Sequence, residues 1–248
     1  MDLDEKISLW LKDYLLNNRM DSFIVGVSGG IDSAVTSTLC ALTEKKTVLV
    51  TMPIFQNPNE TSRGKKHIDW LKSKYSNVEH VHIDLTSVYK EFMTNIPEKF
   101  QDNLSLANSR ARIRMTALYL IAGSGNGLVV GTGNKVEDFG IGFFTKYGDG
   151  GVDISPIGDL FKSEVYELAY KFGIIEEIIN AAPTDGLWND GRTDEDQIGT
   201  SYNNLEWAMG YEMENEISDE QRKILKIYNE HRKKNLHKMK KIPVYKKD

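Results

Sequence analysis

The chain has one cysteine, Cys40, in 248 residues. One thiol forms no internal disulfide and no Cys-x-x-Cys metal or redox site. It sits in the apolar run Ala34, Val35, Leu39, Ala41, Leu42, so it reads as a small buried hydrophobe. Long apolar runs are missing too, and nothing approaches the roughly 20 residues of a membrane span. The start, Met1-Asp-Leu-Asp-Glu5, is acidic and has neither the basic residues nor the apolar core of a leader. Positive charge is not in excess: 31 Lys/Arg against 36 Asp/Glu leave a net of −5, which gives no broad surface for nucleic acid. These absences point to a cytoplasmic globular enzyme with neither membrane nor nucleic acid as partner. No repeat and no low-complexity linker interrupts the 248 residues, so they read as one large domain with a sizeable core.

The charge that is present lies unevenly. Residues 231–248 carry eight Lys/Arg and one acid, a net of +7, so the remainder carries −12. Segment 185–220 has eleven acids and one base, Arg192. A basic tail is either a solvated surface or an arm over a site that holds several phosphates.

The most informative stretch is Phe23-Ile-Val-Gly-Val-Ser-Gly-Gly-Ile-Asp-Ser33. Its β-branched start predicts a buried strand, Phe23 to Val27, and its end predicts a helix opening at Asp32 and Ser33. Gly29 and Gly30 let the backbone approach a ligand, and the helix start offers it N–H groups and a positive dipole end. The loop is not a Walker A sequence, which needs Lys-Ser/Thr after its last glycine, nor is it G-x-G-x-x-G. The hydroxyls of Ser28 and Ser33 suit pyrophosphate oxygens, and Asp32 suits a hard cation.

Further strands are predicted at Thr47–Met52, His80–Leu85 and Leu128–Thr132, with a short fifth at Val152–Ser155. Helices are predicted over 3–18, 60–75, 104–122, 159–172, 194–209 and 218–235, with a short one from Thr86. Such alternation implies a doubly wound, mostly parallel α/β sheet with helices on both faces. Ligands sit beyond the carboxyl ends of such strands, so Ser28, Pro53 to Gln56 and Thr132 should share one crevice.

Two more stretches carry chemistry. In Gly131-Thr-Gly-Asn-Lys-Val-Glu137, Glu137 makes a second carboxylate beside Asp32, and the pair suits Mg²⁺ bridging phosphates. Gly142-Phe-Phe-Thr-Lys-Tyr-Gly-Asp-Gly-Gly151 is too glycine-rich for helix or strand and suits a loop that stacks a ring and clamps phosphate. On the helix over 104–122, Asn108 and Arg112 share a face. Arg112 is expected to look into the crevice, with Arg110 and Arg114 as surface or interface charges. Lys162 falls in the first turn of its helix, where a cation opposes the dipole unless an anion relieves it.

With Asn108-Ser-Arg-Ala-Arg-Ile-Arg-Met115, Pro183-Thr184 and His237-Lys238, these motifs span most of the chain, which resembles the ammonia-dependent NAD synthetases. The Ser-Gly-Gly-x-Asp-Ser loop is shared more widely, with ATP pyrophosphatases of the PP-loop superfamily; the Phe143–Gly151 run is what points to NAD synthetase. The resemblance implies the Rossmann-like fold of adenine-nucleotide α-hydrolases and a two-step reaction. Deamido-NAD is adenylated by ATP, and ammonia then displaces AMP. By position, Gly26, Val27, Ser28, Gly29, Gly30, Ile31, Asp32, Ser33, Thr132, Lys162 and Thr184 would bind ATP. Asp32 and Glu137 would hold Mg²⁺. Arg112, Phe143, Lys146, Asp153, His237 and Lys238 would contact deamido-NAD, and Asp149 would help deprotonate ammonium. A homodimer whose dinucleotide site draws on both subunits is also implied, and the length leaves no room for a glutaminase. One departure concerns adenine: some bacterial members have an arginine after the second strand, where this chain has Thr51-Met-Pro53, leaving Met52 or Gln56 for that contact. Another is an extra residue between Glu137 and Phe143. The remaining alternatives are a tRNA-thiolating or GMP-forming PP-loop enzyme, and a sensor that holds ATP without turnover.

Overall fold

The computed structural model describes residues 1–184, 192–212 and 216–247. Among them, four parallel strands lie in the order β3-β2-β1-β4. They are β1 (Ser22–Gly26), β2 (Lys46–Thr51), β3 (Val78–His82) and β4 (Gly127–Val130). Their side chains alternate between two cores. Phe23, Val25, Leu49, Leu128 and Val130 meet α1 (Leu3–Asn17), α2 (Ile31–Leu42), α3 (Pro58–Lys74) and α6 (Lys162–Phe172) on one face. Ile24, Val48, Val50 and Val129 meet α4 (Thr86–Thr94) and α5 (Asn103–Ser124) on the other. A strand buried on both faces must be apolar throughout, which is why these segments read as unbroken hydrophobic runs. The order places β1 between β2 and β4, so the chain's winding reverses there and a crevice opens at the end of β1. Among the described residues no helix is long and apolar enough to cross a membrane.

The structure departs from the sequence expectations in five places. The third strand, expected at His80–Leu85, runs Val78–His82, because Asp84 Oδ1 accepts from Thr86 N and turns the chain into α4. The fifth strand, Val152–Ser155, is a single bridge between Val130 and Ile154. Pro156 has no N–H to extend the ladder, and the chain turns at once, with Gly158 N donating to Ser155 O. The same turns delay α6 to Lys162. The helix expected over 194–209 is two, α8 (Asp194–Ile198) and α9 (Tyr202–Gly210), after the short α7 (Glu176–Ile179). Gly199 closes α8, and the Ser201 side chain caps α9 through Asn204 N. The basic tail is not an arm throughout, because residues 231–239 continue α10 (Asp219–Met239). The acidic stretch 185–220 falls partly on 185–191 and 213–215, outside the described residues.

Between α2 and α3 lies a fully buried histidine, His67. Its Nε2 is 2.9 Å from Ser37 Oγ, its ring stacks on Trp70, and its Nδ1 is buried with no partner. Burial pushes the imidazole down to about 4. An unfolded histidine titrates near ~6.5, so the unfolded chain takes the proton first. The stability that neutral His67 contributes is therefore complete above about pH 6.5 and is lost as pH falls towards about 4. At pH 5 this loss is on the order of 2 kcal/mol. His67→Phe, which keeps the stack on Trp70, should unfold in urea with a smaller difference between pH 7 and pH 5 than the wild type; equal differences would show that other groups set the slope.

Candidate active site

A cavity of about 1060 Å³ opens at the carboxyl end of the sheet. Its floor is the turn from β1 into α2. The loop is held by its own hydroxyls: Ser33 Oγ donates to Gly30 O at 2.9 Å, Ser28 Oγ lies 3.2 Å from Ser33 Oγ, and Gly30 N donates to Ser28 Oγ at 3.2 Å. A phosphate can take over these polar groups without the loop being rebuilt. Gly26, Val27, Ser28, Gly30, Ile31, Asp32 and Ser33 line the cavity. Gly29 does not. It takes φ +90° against α3, where a Cβ would meet Glu60 O at 2.3 Å, and its carbonyl accepts from Arg63 Nε at 3.3 Å. No side chain fits that position.

Beside the loop a polar network is buried. Lys162, 3% exposed, opens α6. Its Nζ is 2.5 Å from Asp32 Oδ2 and 3.1 Å from Glu137 Oε1. The conflict between a cation and the helix dipole is thus relieved by two carboxylates. Although burial opposes it, the pair holds the Lys162 ammonium above its ordinary range. Burial raises the Asp32 carboxyl, with the charge of Glu137 adding to the effect. Burial also pushes on Glu137, but Lys162 and Tyr202 outweigh it and hold its carboxyl below the ordinary range. Glu137 sits in a π-helical turn, Lys135–Ile141, that starts at Asn134. Asn134 Oδ1 caps the N–H groups of Val136 and Glu137, while its Nδ2 donates to Asp32 Oδ1 at 3.2 Å.

The opposite wall is the loop 142–151 with α10. Arg232, Asn235 and Lys238 donate to the carbonyls of Gly140 at 2.7 Å, Ile141 at 2.9 Å and Phe144 at 2.6 Å. These carbonyls end the π-helical turn or follow it, and cationic donors suit them. Gly142 takes φ +68° beneath α10, where a Cβ would meet Asn235 Cβ at 2.5 Å. Phe143, Lys146, Asp149, His237 and Lys238 line the cavity from this side, and Thr132, Glu137, Lys162 and Thr184 complete it. Asp149 Oδ1 accepts from Thr145 N at 3.0 Å, and burial raises its carboxyl. Asp138, which sequence reasoning passed over, also lines the cavity. Burial and the charges of Asp149, Glu137 and Asp32 push it well up.

Besides Gly29, two expectations need correction. Arg112 lines the cavity as expected, its Nε donating to Lys146 O at 3.2 Å, but Arg114 lines it too and is not a surface charge. Arg114 stands three residues after Ala111, on the inward stripe with Ala107 and Leu118. It donates to Met52 O at 2.9 Å and to Gln56 Oε1 at 2.8 Å. Burial lowers its guanidinium to about 10. It therefore holds the segment after β2, where Met52 and Gln56 also face the cavity. Asp153 does not line it. Its oxygens are taken by Tyr119 OH at 2.9 Å and Val129 N at 2.8 Å, which fastens the single bridge to β4. Tyr202 and Asn134 went unread and Arg114 was misplaced because the partners that bring them to the site, Glu137, Asp32, Met52 and Gln56, are 58 or more residues away in sequence. The only local signal was Asn at a glycine-flanked turn.

A parallel sheet whose switch point carries a Ser-Gly-Gly loop and a lysine-bridged carboxylate pair defines a nucleotide-dependent α/β enzyme. Comparison with known proteins narrows the class. The family model described as NAD synthase matches residues 3–248. The NH3-dependent NAD+ synthetase of Carboxydothermus hydrogenoformans is 42% identical over 206 residues, 82% of each chain. Among solved structures, the NMN synthetase of Francisella tularensis is 32% identical, with a TM-score of 0.88 over 98% of this chain and 97% of its own. The NH3-dependent NAD synthetase of Campylobacter jejuni is 26% identical, with a TM-score of 0.80 over 99% and 100%. The chain belongs to the NAD synthase family, among its ammonia-dependent NAD+ synthetases.

The buried network makes a prediction about stability. Lys162→Met leaves Asp32 and Glu137 facing each other without a cation. Removing one partner of a buried ion pair costs about 3–5 kcal/mol. The melting temperature should fall by roughly 10 °C for a chain of this size. Adding Glu137→Gln should restore part of the loss. A single variant as stable as the wild type would show that the carboxylates are solvated.

Proposed function

We propose that the chain adenylates the nicotinate carboxylate of deamido-NAD with ATP and passes the acyl group to ammonia. A carboxylate oxygen attacks the α-phosphorus, and the bond to the β-phosphate breaks with its electrons leaving on pyrophosphate. Ammonia then attacks the acyl carbon, AMP leaves, and the nitrogen sheds a proton. No protein nucleophile is needed, and positioning and charge neutralisation carry the catalysis. The observation that supports this best is the Lys162 cation poised beside the Ser28–Ser33 loop, where the charge on the leaving pyrophosphate develops. Lys146, Lys238 and Arg112 form a cationic rim, with His237 beside it, suited to the phosphates of a dinucleotide. Asp149, whose carboxyl burial raises, is suited to accept the proton from ammonium.

Magnesium fits the site by donor type. Asp32 and Glu137 offer hard oxygens that already converge on one cation, and Mg²⁺ is commonly held by one or two carboxylates plus phosphate oxygens and water. Among the described residues no cluster of three or more His, Cys, Asp or Glu forms a separate metal site, so phosphate oxygens would supply the remaining ligands. Bound there, the ion would neutralise charge on the β-phosphate as it departs. Lys162 would then turn from the carboxylates to the phosphates.

A second reading is favoured by the full-length likeness to the Francisella structure: the acceptor is nicotinate mononucleotide, whose reacting group is the same. Pyrophosphate release separates the readings. With ATP, Mg²⁺ and ammonium, deamido-NAD should trigger release and yield NAD+. Release with nicotinate mononucleotide in its place would favour the mononucleotide, and release with neither would favour another PP-loop enzyme. Glutamine should not replace ammonium. Cys40 is fully buried, and burial raises its thiol, so Cys40→Ser should keep the activity; glutamine-dependent turnover lost in that variant would overturn the reading.

We also propose that two copies pair through α4 and α5. Leu104 and Leu120 of α5 are 58% and 74% exposed, and Phe92 of α4 and Phe100, just before α5, are exposed as well. Large apolar side chains gathered on neighbouring surface segments are ordinarily covered. Leu120→Arg should shift the chain from dimer to monomer in sedimentation. An unchanged dimer, or a wild-type monomer, would reject this face.

A further inference from the structure

Tyr202 is buried in α9 against Val136, Ile141, Ile198 and Leu205, and it touches both charged partners of the network. Its hydroxyl donates to Glu137 Oε1 at 2.6 Å. Its ring lies under the Lys162 ammonium, 4.8 Å from Nζ to the centroid. The hydroxyl is also 3.4 Å from Asp194 Oδ2, at the start of α8. An isolated aromatic core needs none of these contacts. A phenol bond to a carboxylate this short is charge-assisted, and it pins the oxygen of Glu137 that Lys162 also uses.

We propose that Tyr202 is a positioning residue for the nucleotide-bound metal: its hydroxyl holds Glu137 in place when Lys162 leaves for the phosphates. The inference rests on Glu137 being a metal ligand. In the ligand-free chain Glu137 Oε1 has two donors, Lys162 and Tyr202. Once the ammonium swings to a phosphate, only the phenol still fixes that oxygen, so the other, Oε2, can face the ion without searching for it. The ring's contact with Lys162 does a second task. It gives the ammonium an aromatic face near the carboxylates and keeps the cation within reach of both positions. Because the hydroxyl acts mainly in the loaded state, its loss should weaken metal binding far more than it weakens the fold. Outer-shell partners of this kind typically change metal affinity 10–100-fold.

Tyr202→Phe separates these roles, since it keeps the ring and its packing and removes only the hydroxyl. Mn²⁺ serves as the probe, its free fraction followed by electron paramagnetic resonance, with ATP carrying a methylene between its α and β phosphates. The variant should bind Mn²⁺ in the presence of this nucleotide at least ten-fold more weakly than the wild type. In turnover it should need correspondingly more Mg²⁺ for half-maximal rate and recover most of kcat when Mg²⁺ saturates, with KM for the nicotinate substrate unchanged. A merely structural tyrosine would instead lower the melting temperature and leave the Mg²⁺ requirement as it was. Mn²⁺ affinity within two-fold of wild type overturns the proposal while leaving Glu137 as a ligand. Failure of the wild type itself to bind Mn²⁺ with nucleotide overturns both assignments.

Discussion

A lysine ammonium enclosed between two carboxylates joins three parts of the chain that have little else in common. Asp32 belongs to the turn after β1, Glu137 to the π-helical turn after β4, and Lys162 to the start of α6. A buried charge left without its partner costs several kcal/mol, so none of the three can drift without exposing the other two. Asn134 strengthens the link at both ends, with one amide group capping the π-helical turn and the other reaching Asp32. The crevice at the end of β1 is therefore kept in shape by electrostatics as much as by the apolar layers beneath it.

The fold was largely legible because its signals are local. Apolar runs gave β1, β2 and β4, β3 was found only in part because Glu79, His80 and His82 break its pattern, and spacing gave most helices to within a few residues. The misses came where one residue overrides a pattern. Pro156 stops a strand that composition favoured, and Gly199 with Ser201 divides a helix that periodicity carried through. Of the site, the residues within motifs were legible because a glycine, an acid and hydroxyls sit side by side. Arg114 was misjudged for a geometric reason. Pairing Asn108 with Arg112 fixed one edge of the inward stripe of α5 and excluded the other edge, although the stripe is wide enough to hold both arginines.

Charge is layered within the cavity in a way its linear distribution does not show. Asp32, Glu137, Asp138 and Asp149 lie together inside it, and mutual repulsion adds to burial in raising Asp138. Lys234, His237 and Lys238 bring the basic end of the chain to the same space, where Lys146 of the loop 142–151 joins them. An acidic interior beside a cationic rim suits a ligand with a metal at one end and bare phosphates at the other.

What brings the basic residues there is the backbone and not the acids. Arg232, Asn235 and Lys238 attach to carbonyls at the end of the π-helical turn and beyond it. Those carbonyls lack partners within the turn, and capping them anchors α10 whether or not the cavity is filled. The anchoring groups and the ligand-facing groups alternate along one helix. Lys234 and His237 line the cavity, Arg232 holds the wall, and Asn235 and Lys238 do both. Burial lowers the Lys238 ammonium, with Asp149 and Asp138 opposing the shift. Its charge is thus kept by the same carboxylates whose repulsion it relieves. The wall formed by loop 142–151 with α10 and the turn carrying Glu137 are for this reason one mechanical unit, joined through the carbonyls of Gly140, Ile141 and Phe144.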